Sequence, residues 1–234
     1  MNKNIFIILP HKDQFIKNYA GSASIWVKDF FRDSSFKNKI QIFGSTENTK
    51  NIFIKKNYTN IKIPKIKILS KSNFYINKLI NYCKKGKPEI VEIHNRPSYL
   101  IKIAKKFPRT NFILVIHNDP LNLKGSTSIE ERKELLKICY KIYFVSSWVE
   151  EKFFHGLDKN FHTNFKTIYP SINKISKFPK KKKVIIFSGK LNNAKGFDKF
   201  ASAISKILNK YNDWKAIAIG DEPRERYNFS HKRL

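Results

Sequence analysis

Lys190 and Lys195, set between Gly189 and Gly196, carry the most legible chemistry in this chain. They lie in the stretch 184–220, VIIFSGKLNNAKGFDKFASAISKILNKYNDWKAIAIG, which reads as strand, glycine turn, helix, strand. A loop between a strand and a helix start offers backbone N–H groups and the positive end of the helix dipole. Two lysines add mobile positive charge, so the whole suits a diphosphate. The plain reading is that any given lysine of a lysine-rich chain is a solvated surface group. A second set of chemistry-bearing residues follows strand-like runs. His94 and Asn95 come after residues 89–93, and His117 and Asn118 after residues 112–116. In open parallel sheets ligands collect beyond the C-terminal ends of strands. One histidine there is usually a satisfied structural residue. Two, each followed by asparagine, on strands expected to be neighbours, suggest contacts to a polar ligand. Gly21, opening a helix after the first strand and His11, lets a phosphate or sugar approach the backbone, or serves simply as a small helix cap.

The elements that must position these residues alternate along the chain. Strands are expected at 4–9, 39–43, 52–54, 61–69, 89–94, 111–117, 141–146 and 165–169, with Pro64 marking an edge or break. Helices are expected at 21–31, 73–85, 98–106, 128–139 and from 147. Ser128 with Glu131, and Ser147 with Glu150, give two capping-box patterns. Such alternation predicts an α/β fold with a parallel sheet covered on both faces. Residues 169–183, YPSINKISKFPKKKK, hold two prolines and four consecutive lysines and read as a linker. The expected organisation is an N-terminal lobe over 1–168, a hinge over 169–182 and a second lobe beginning at 183–234.

Composition narrows the class further. The 234 residues, 41% hydrophobic, suffice for a sizeable core. The net charge of +29 comes from 40 Lys and only 7 Arg against 18 acidic residues. Arginine is the preferred residue for gripping bases and phosphates bidentately, and these lysines are spread along the chain. A solvated basic surface is the first reading, a face on anionic membrane the second, nucleic acid the third. Apolar runs fall far short of the ~20 residues of a membrane span. Pro10, His11, Lys12 and Asp13 interrupt any leader-like start, so a cytoplasmic location is expected, with peripheral contact at the inner membrane face. Cys83 and Cys139 have no metal-site spacing, and no zinc set, Gly-x-Gly-x-x-Gly, phosphate-loop or glycine-flanked nucleophile motif is present.

These residues carry a family likeness. SGKLNNAKGFDKF followed by WKAIAIGDE resembles the opening of the C-terminal lobe of group 1 glycosyltransferases with the GT-B fold. EIVEIHNR, FILVIHNDP and KIYFVSS are similar to the N-lobe strand series of that family. The resemblance implies a Rossmann-type N-lobe plus an incomplete second Rossmann-like lobe. It implies transfer of a sugar from a nucleotide-diphosphate donor, with retention of configuration and no obligatory metal or other cofactor. By carry-over, Gly189, Lys190 (where the family has arginine) and Lys195 bind the donor diphosphate, and Gly21 sits against the phosphates. His117 meets the donor sugar as the catalytic residue, and His94, Asn95 and Asn118 contact sugar or acceptor. The acceptor is expected to be a glycan or lipid-linked precursor of cell-surface polysaccharide or lipopolysaccharide. The family's paired glutamates, one of which holds the ribose, have no counterpart before Leu234, so the chain reads as truncated and little or no transferase activity is expected of these 234 residues alone. Two rivals stay open: a non-catalytic basic module for anionic membrane or nucleic acid, and a GT-B-fold nucleotide-sugar epimerase.

Overall fold

A computed structural model of the protein describes residues 4–17, 19–47, 49–64, 70–158, 160, 162–172 and 176–220. The chain divides into two compact units, Met1–Ile172 and Asn173–Leu234.

In the first unit seven strands form one sheet: β1 (Ile5–Ile8), β2 (Ile40–Gly44), β3 (Tyr58–Asn60), β4 (Ile90–His94), β5 (Asn111–Ile116), β6 (Lys141–Phe144) and β7 (Phe165–Thr167). Their order is β3-β2-β1-β4-β5-β6-β7 and every pairing is parallel. β1, β2, β4 and β5 are apolar almost throughout and buried on both faces, as central strands of a parallel sheet must be. Helices α2 (Lys71–Gly86), α3 (Pro97–Ala104), α4 (Ile129–Ile138) and α5 (Ser147–Phe154) share one core with Phe6, Ile8, Val91, Ile93, Phe112, Leu114, Ile142 and Phe144. Helix α1 (Ser22–Asp33) packs on the opposite face, where Val27 and Phe31 meet Ile7, Leu9, Ile40 and Ile42. This split follows from right-handed crossovers: β1 connects outward to β2 in one direction, and β3 through β7 proceed in the other.

The α/β architecture with a parallel sheet is the expected one, with local differences. Residues 52–54 form no strand; Ile52 makes a single antiparallel bridge to Ile16. The third strand is Tyr58–Asn60, and residues 61–64 of the expected strand 61–69 lie outside it. It ends because Asn60 clamps the Thr46 backbone, accepting from its N–H at 2.7 Å and donating to its carbonyl at 2.9 Å. That clamp ties off β2 as well. Residues 65–69 lie outside those described. The box at Ser128 and Glu131 forms in both directions, with Oγ accepting from the Glu131 N–H at 3.1 Å. The second box does not. Ser146 is the cap of α5 and accepts from the Val149 N–H at 3.3 Å, while Glu150 accepts from the Thr167 hydroxyl at 2.6 Å.

The second unit is a β-α-β hairpin of parallel strands: β8 (Val184–Ser188), α6 (Phe197–Lys210) and β9 (Lys215–Ile219). Phe187 is its internal anchor, with ring centroids 5.4 Å from Phe197 and 5.3 Å from Phe200. The sequence from Asp221 onward lies outside the described residues.

Candidate functional site

The strand order reverses at β1, because β1 connects to β2 on one side while β4 flanks it on the other. Beyond the C-terminal ends of two such strands, side chains diverge and leave the crevice in which doubly wound folds bind ligands. His94 ends β4 and His117 follows β5, the adjacent strand, in the register His94↔Val115. Their rings meet directly, His94 Nδ1 to His117 Nε2 at 2.9 Å. The other His94 nitrogen, Nε2, lies 2.8 Å from Glu92 Oε1. Glu92 is two residues back on β4, so the pleat puts both side chains on the α1 face. His94 is fully buried and Glu92 nearly so. The Trp26 ring of α1 lies against both imidazoles, at centroid distances of 5.3 and 6.1 Å.

Asn95 completes the cluster through the backbone. Its φ of +56° turns the chain sharply after β4. Its Oδ1 then accepts from the N–H groups of His117, at 3.0 Å, and Asn118, at 3.2 Å. Asparagine is among the few non-glycine residues that adopt this conformation readily. The structure thus brings together His94, Asn95, His117 and Asn118, and the Asn95 oxygen holds the segment that follows β5. On the neighbouring strand end, His11 Nδ1 pairs with the Tyr99 hydroxyl at 2.5 Å. Burial, then the charges of Arg96, Lys12 and Lys71, push the His11 pKa down. Those three cations mark this end of the sheet as electropositive.

Gly21 is the N-cap residue of α1, and its N–H donates to Asp13 Oδ1 at 2.7 Å. A Cβ at this position would lie 2.8 Å from the Asp13 carboxyl carbon, so a larger residue would have to displace the Asp13 side chain. The backbone donor expected to face a phosphate is engaged by a carboxylate.

In the second unit, Gly189, Lys190 and Lys195 sit in the turn from β8 to α6. Gly189 N–H extends the strand ladder to Ile219 O, and a Cβ on Gly189 would meet Lys195 Cβ at 3.8 Å. Gly196, at φ +75°, enters α6 from a 3₁₀ turn at Asn193–Lys195 that is capped by Asn192. The N–H groups of Lys195, Gly196 and Phe197 are bonded within this turn. Both lysine side chains are exposed, and part of the amide set of the turn is satisfied internally. Among the described residues no group of three or more His, Cys, Asp or Glu gathers in a metal-holding arrangement.

Sequence reasoning did not single out Glu92, Asp13 or Tyr99. Glu92 had a signal: it is a charged residue in the apolar run IVEIH, two positions before a histidine and therefore on the same strand face.

Burial, and next the adjacent His94, hold the His117 pKa down at about 3. His117 is therefore neutral at physiological pH, a hydrogen-bonding group and not a cation. The unfolded chain takes up this proton below about pH 6.5, whereas the folded chain resists it to about pH 3. Stability is expected to fall with acidification in that window, by at most ~1.4 kcal/mol per pH unit from this group. Urea unfolding at pH 7 and pH 5 should show a smaller acid loss for His117→Asn than for the wild type; equal losses would contradict the assignment.

The class defined by this architecture is a Rossmann-type α/β protein whose second unit begins with a β-α-β element. Residues 169–232 match the family model described as glycosyl transferases group 1. The crystal structure of Anabaena Alr3699/HepE in complex with UDP-glucose aligns at TM-score 0.56 and 12% identity, over 93% of this chain and 69% of that one. Sucrose-phosphate synthase from Thermosynechococcus elongatus aligns at TM-score 0.65 and 11% identity, over 96% of this chain and 64% of the other. The lipopolysaccharide outer core galactosyltransferase WaaB, apo form, aligns at TM-score 0.58 and 15% identity, over 92% and 67%. The chain therefore spans about two thirds of the length of these proteins. No curated protein matches it. The resemblance to group 1 glycosyltransferases with the GT-B fold holds, in the fold of the chain and in the family match of its C-terminal segment.

Proposed function

We propose that this chain serves in glycosyl transfer from a nucleotide-diphosphate sugar to a cell-surface polysaccharide or lipopolysaccharide precursor. The observation that carries the reading is the family match across residues 169–232, which contain the Gly189–Gly196 turn with its two exposed lysines. The first unit supplies the acceptor side and the second the beginning of the donor side. In the reaction an acceptor hydroxyl oxygen bonds to the anomeric carbon and gives up its proton. The bond from that carbon to the diphosphate oxygen breaks. Negative charge grows on the departing nucleoside diphosphate, and the Lys190 and Lys195 ammonium groups offset it. In the first unit, neutral His117 accepts a hydrogen bond from a sugar hydroxyl. The acceptor class is supported by the likeness to a lipopolysaccharide galactosyltransferase, which bears on the fold.

The test is a titration of the ¹⁵N-labelled protein with nucleotide sugars carrying uridine, adenosine, guanosine or thymidine. Saturable shifts of the amides from Gly189 to Asp198 are expected with at least one of them. Silence of those amides toward all four at millimolar concentration would overturn the reading.

A second reading, compatible with the first, is contact with an anionic membrane surface. Phe178 is 83% exposed and stands beside Lys177 and the lysines at 180–183, of which Lys183 pairs with Asp213. Each lysine near such a surface contributes about 1 kcal/mol. No helix among the described residues is long and apolar enough to cross a membrane. In vesicle flotation the protein should float with phosphatidylglycerol and not with phosphatidylcholine. Replacing Phe178 by alanine and residues 180–182 by glutamine should reduce flotation about tenfold or more. Equal flotation of variant and wild type would dismiss this contact.

A further inference from the structure

Both ring nitrogens of His94 are engaged inside the protein. Nε2 lies 2.8 Å from Glu92 Oε1 and Nδ1 lies 2.9 Å from His117 Nε2. His94 has no exposed surface and Glu92 is 7% exposed. His94 therefore meets neither substrate nor solvent; it connects Glu92 to His117. The connection has a direction. An ionised carboxylate only accepts hydrogen bonds, so the His94 nitrogen facing it carries a proton. With one proton on the ring, His94 Nδ1 is a lone pair. The hydrogen in the 2.9 Å contact must then belong to His117 Nε2. His117, itself singly protonated, is left with a bare Nδ1, which has no hydrogen-bond partner among the described residues.

We propose that Glu92 is a positioning residue that acts through His94 to hold the proton of His117 on Nε2, leaving Nδ1 as a hydrogen-bond acceptor for a ligand hydroxyl. This rests on the reading that His117 meets a sugar. It adds a specificity rule: His117 recognises a hydroxyl that donates and is indifferent to a group that can only accept. Other groups constrain the pair without competing for its protons. Trp26 packs on both rings, tilted against His94 and perpendicular to His117, and Asn95 Oδ1 holds the His117 backbone N–H. Tyr143 on β6 feels the Glu92 charge, which helps to raise its pKa after burial has done so, and its phenol stays protonated.

The test uses Glu92→Gln, nearly isosteric with the native residue. The glutamine amide can accept from His94 Nε2–H or donate to a bare Nε2, so the direction of the chain is no longer imposed. Tautomers are read from the ¹⁵N shifts of the histidine rings at pH 8, where imidazoles are largely singly protonated. In the wild type, His117 should be at least tenfold in favour of the Nε2–H form. In Glu92→Gln that ratio should fall about tenfold or reverse, because a charge-assisted hydrogen bond has become a neutral one. Finding His117 protonated on Nδ1 in the wild type, or an unchanged ratio in the variant, would overturn the proposal. If the variant does not fold, as judged by its amide spectrum, the wild-type tautomer alone decides. The readout needs no substrate. A wrong assignment of glycosyl transfer would appear in the nucleotide-sugar titration and leave these spectra unaffected.

Discussion

Replacing Arg132 by methionine should cost the first unit about 3–5 kcal/mol, the largest effect expected from one substitution outside the candidate site. Arg132 is 2% exposed, and its guanidinium serves two helices at once. Nε donates to Ser128 O at 3.1 Å at the start of α4. Nη1 donates to Phe153 O at 2.5 Å and His155 O at 2.7 Å at the end of α5. The last carbonyls of a helix have no partner within it, and a cation there also favours the helix dipole. Methionine fills similar space but leaves the Phe153 and His155 carbonyls without this donor in a buried setting, at about 1–3 kcal/mol each, while Ser128 O keeps the Arg132 backbone N–H. Lysine, with one ammonium in place of the planar fork, should recover less than half of the loss. Hydrogen exchange of core amides in β4 to β6 reports on this unit alone. A change under 1 kcal/mol in Arg132→Met would show that the carbonyls find other donors.

The second large effect concerns Lys190→Ala combined with Lys195→Ala. Each charge-assisted contact to a phosphate contributes about 1.5–3 kcal/mol where water is excluded, and less on an open turn. A loss of about 100-fold in affinity for a nucleoside diphosphate is expected from the pair, with the amide spectrum of the first unit unchanged. The control is Lys133→Ala with Lys137→Ala, which removes the same charge from exposed positions on α4. A general basic binder would respond equally to both pairs and lose affinity steeply with salt. Equal losses in the two variants would remove the donor site from this turn.

Much of this was legible in the sequence, for identifiable reasons. Strands buried on both faces leave continuous apolar runs, so β1, β4 and β5 stand out as IFII, IVEIH and NFILVI. The Ser128–Glu131 box was readable because its two partners are local. The failures came where distant groups decide the outcome. β3 is three residues long and stops because an asparagine side chain captures the backbone of another loop. Gly21 looks open to a phosphate in sequence, and only the fold brings Asp13 to its N–H. Asn95 looks like a ligand contact until its oxygen is seen to hold two amides across 22 and 23 residues of chain. The His94–His117 pair was expected from neighbouring strands, but the carboxylate behind it was hidden inside a strand that reads as core.

The strand order also sets a timetable for synthesis on the ribosome. β1 is the first strand made and lies in the interior of the finished sheet. One of its edges can be filled once residues 40–44 have emerged, but the other must wait for residues 90–94. Until then the nascent chain displays an apolar, unpaired ribbon, Ile5–Ile8, of the kind that recruits stray strands. Holding factors that bind short apolar segments would find their first target there, well before either histidine of the crevice exists.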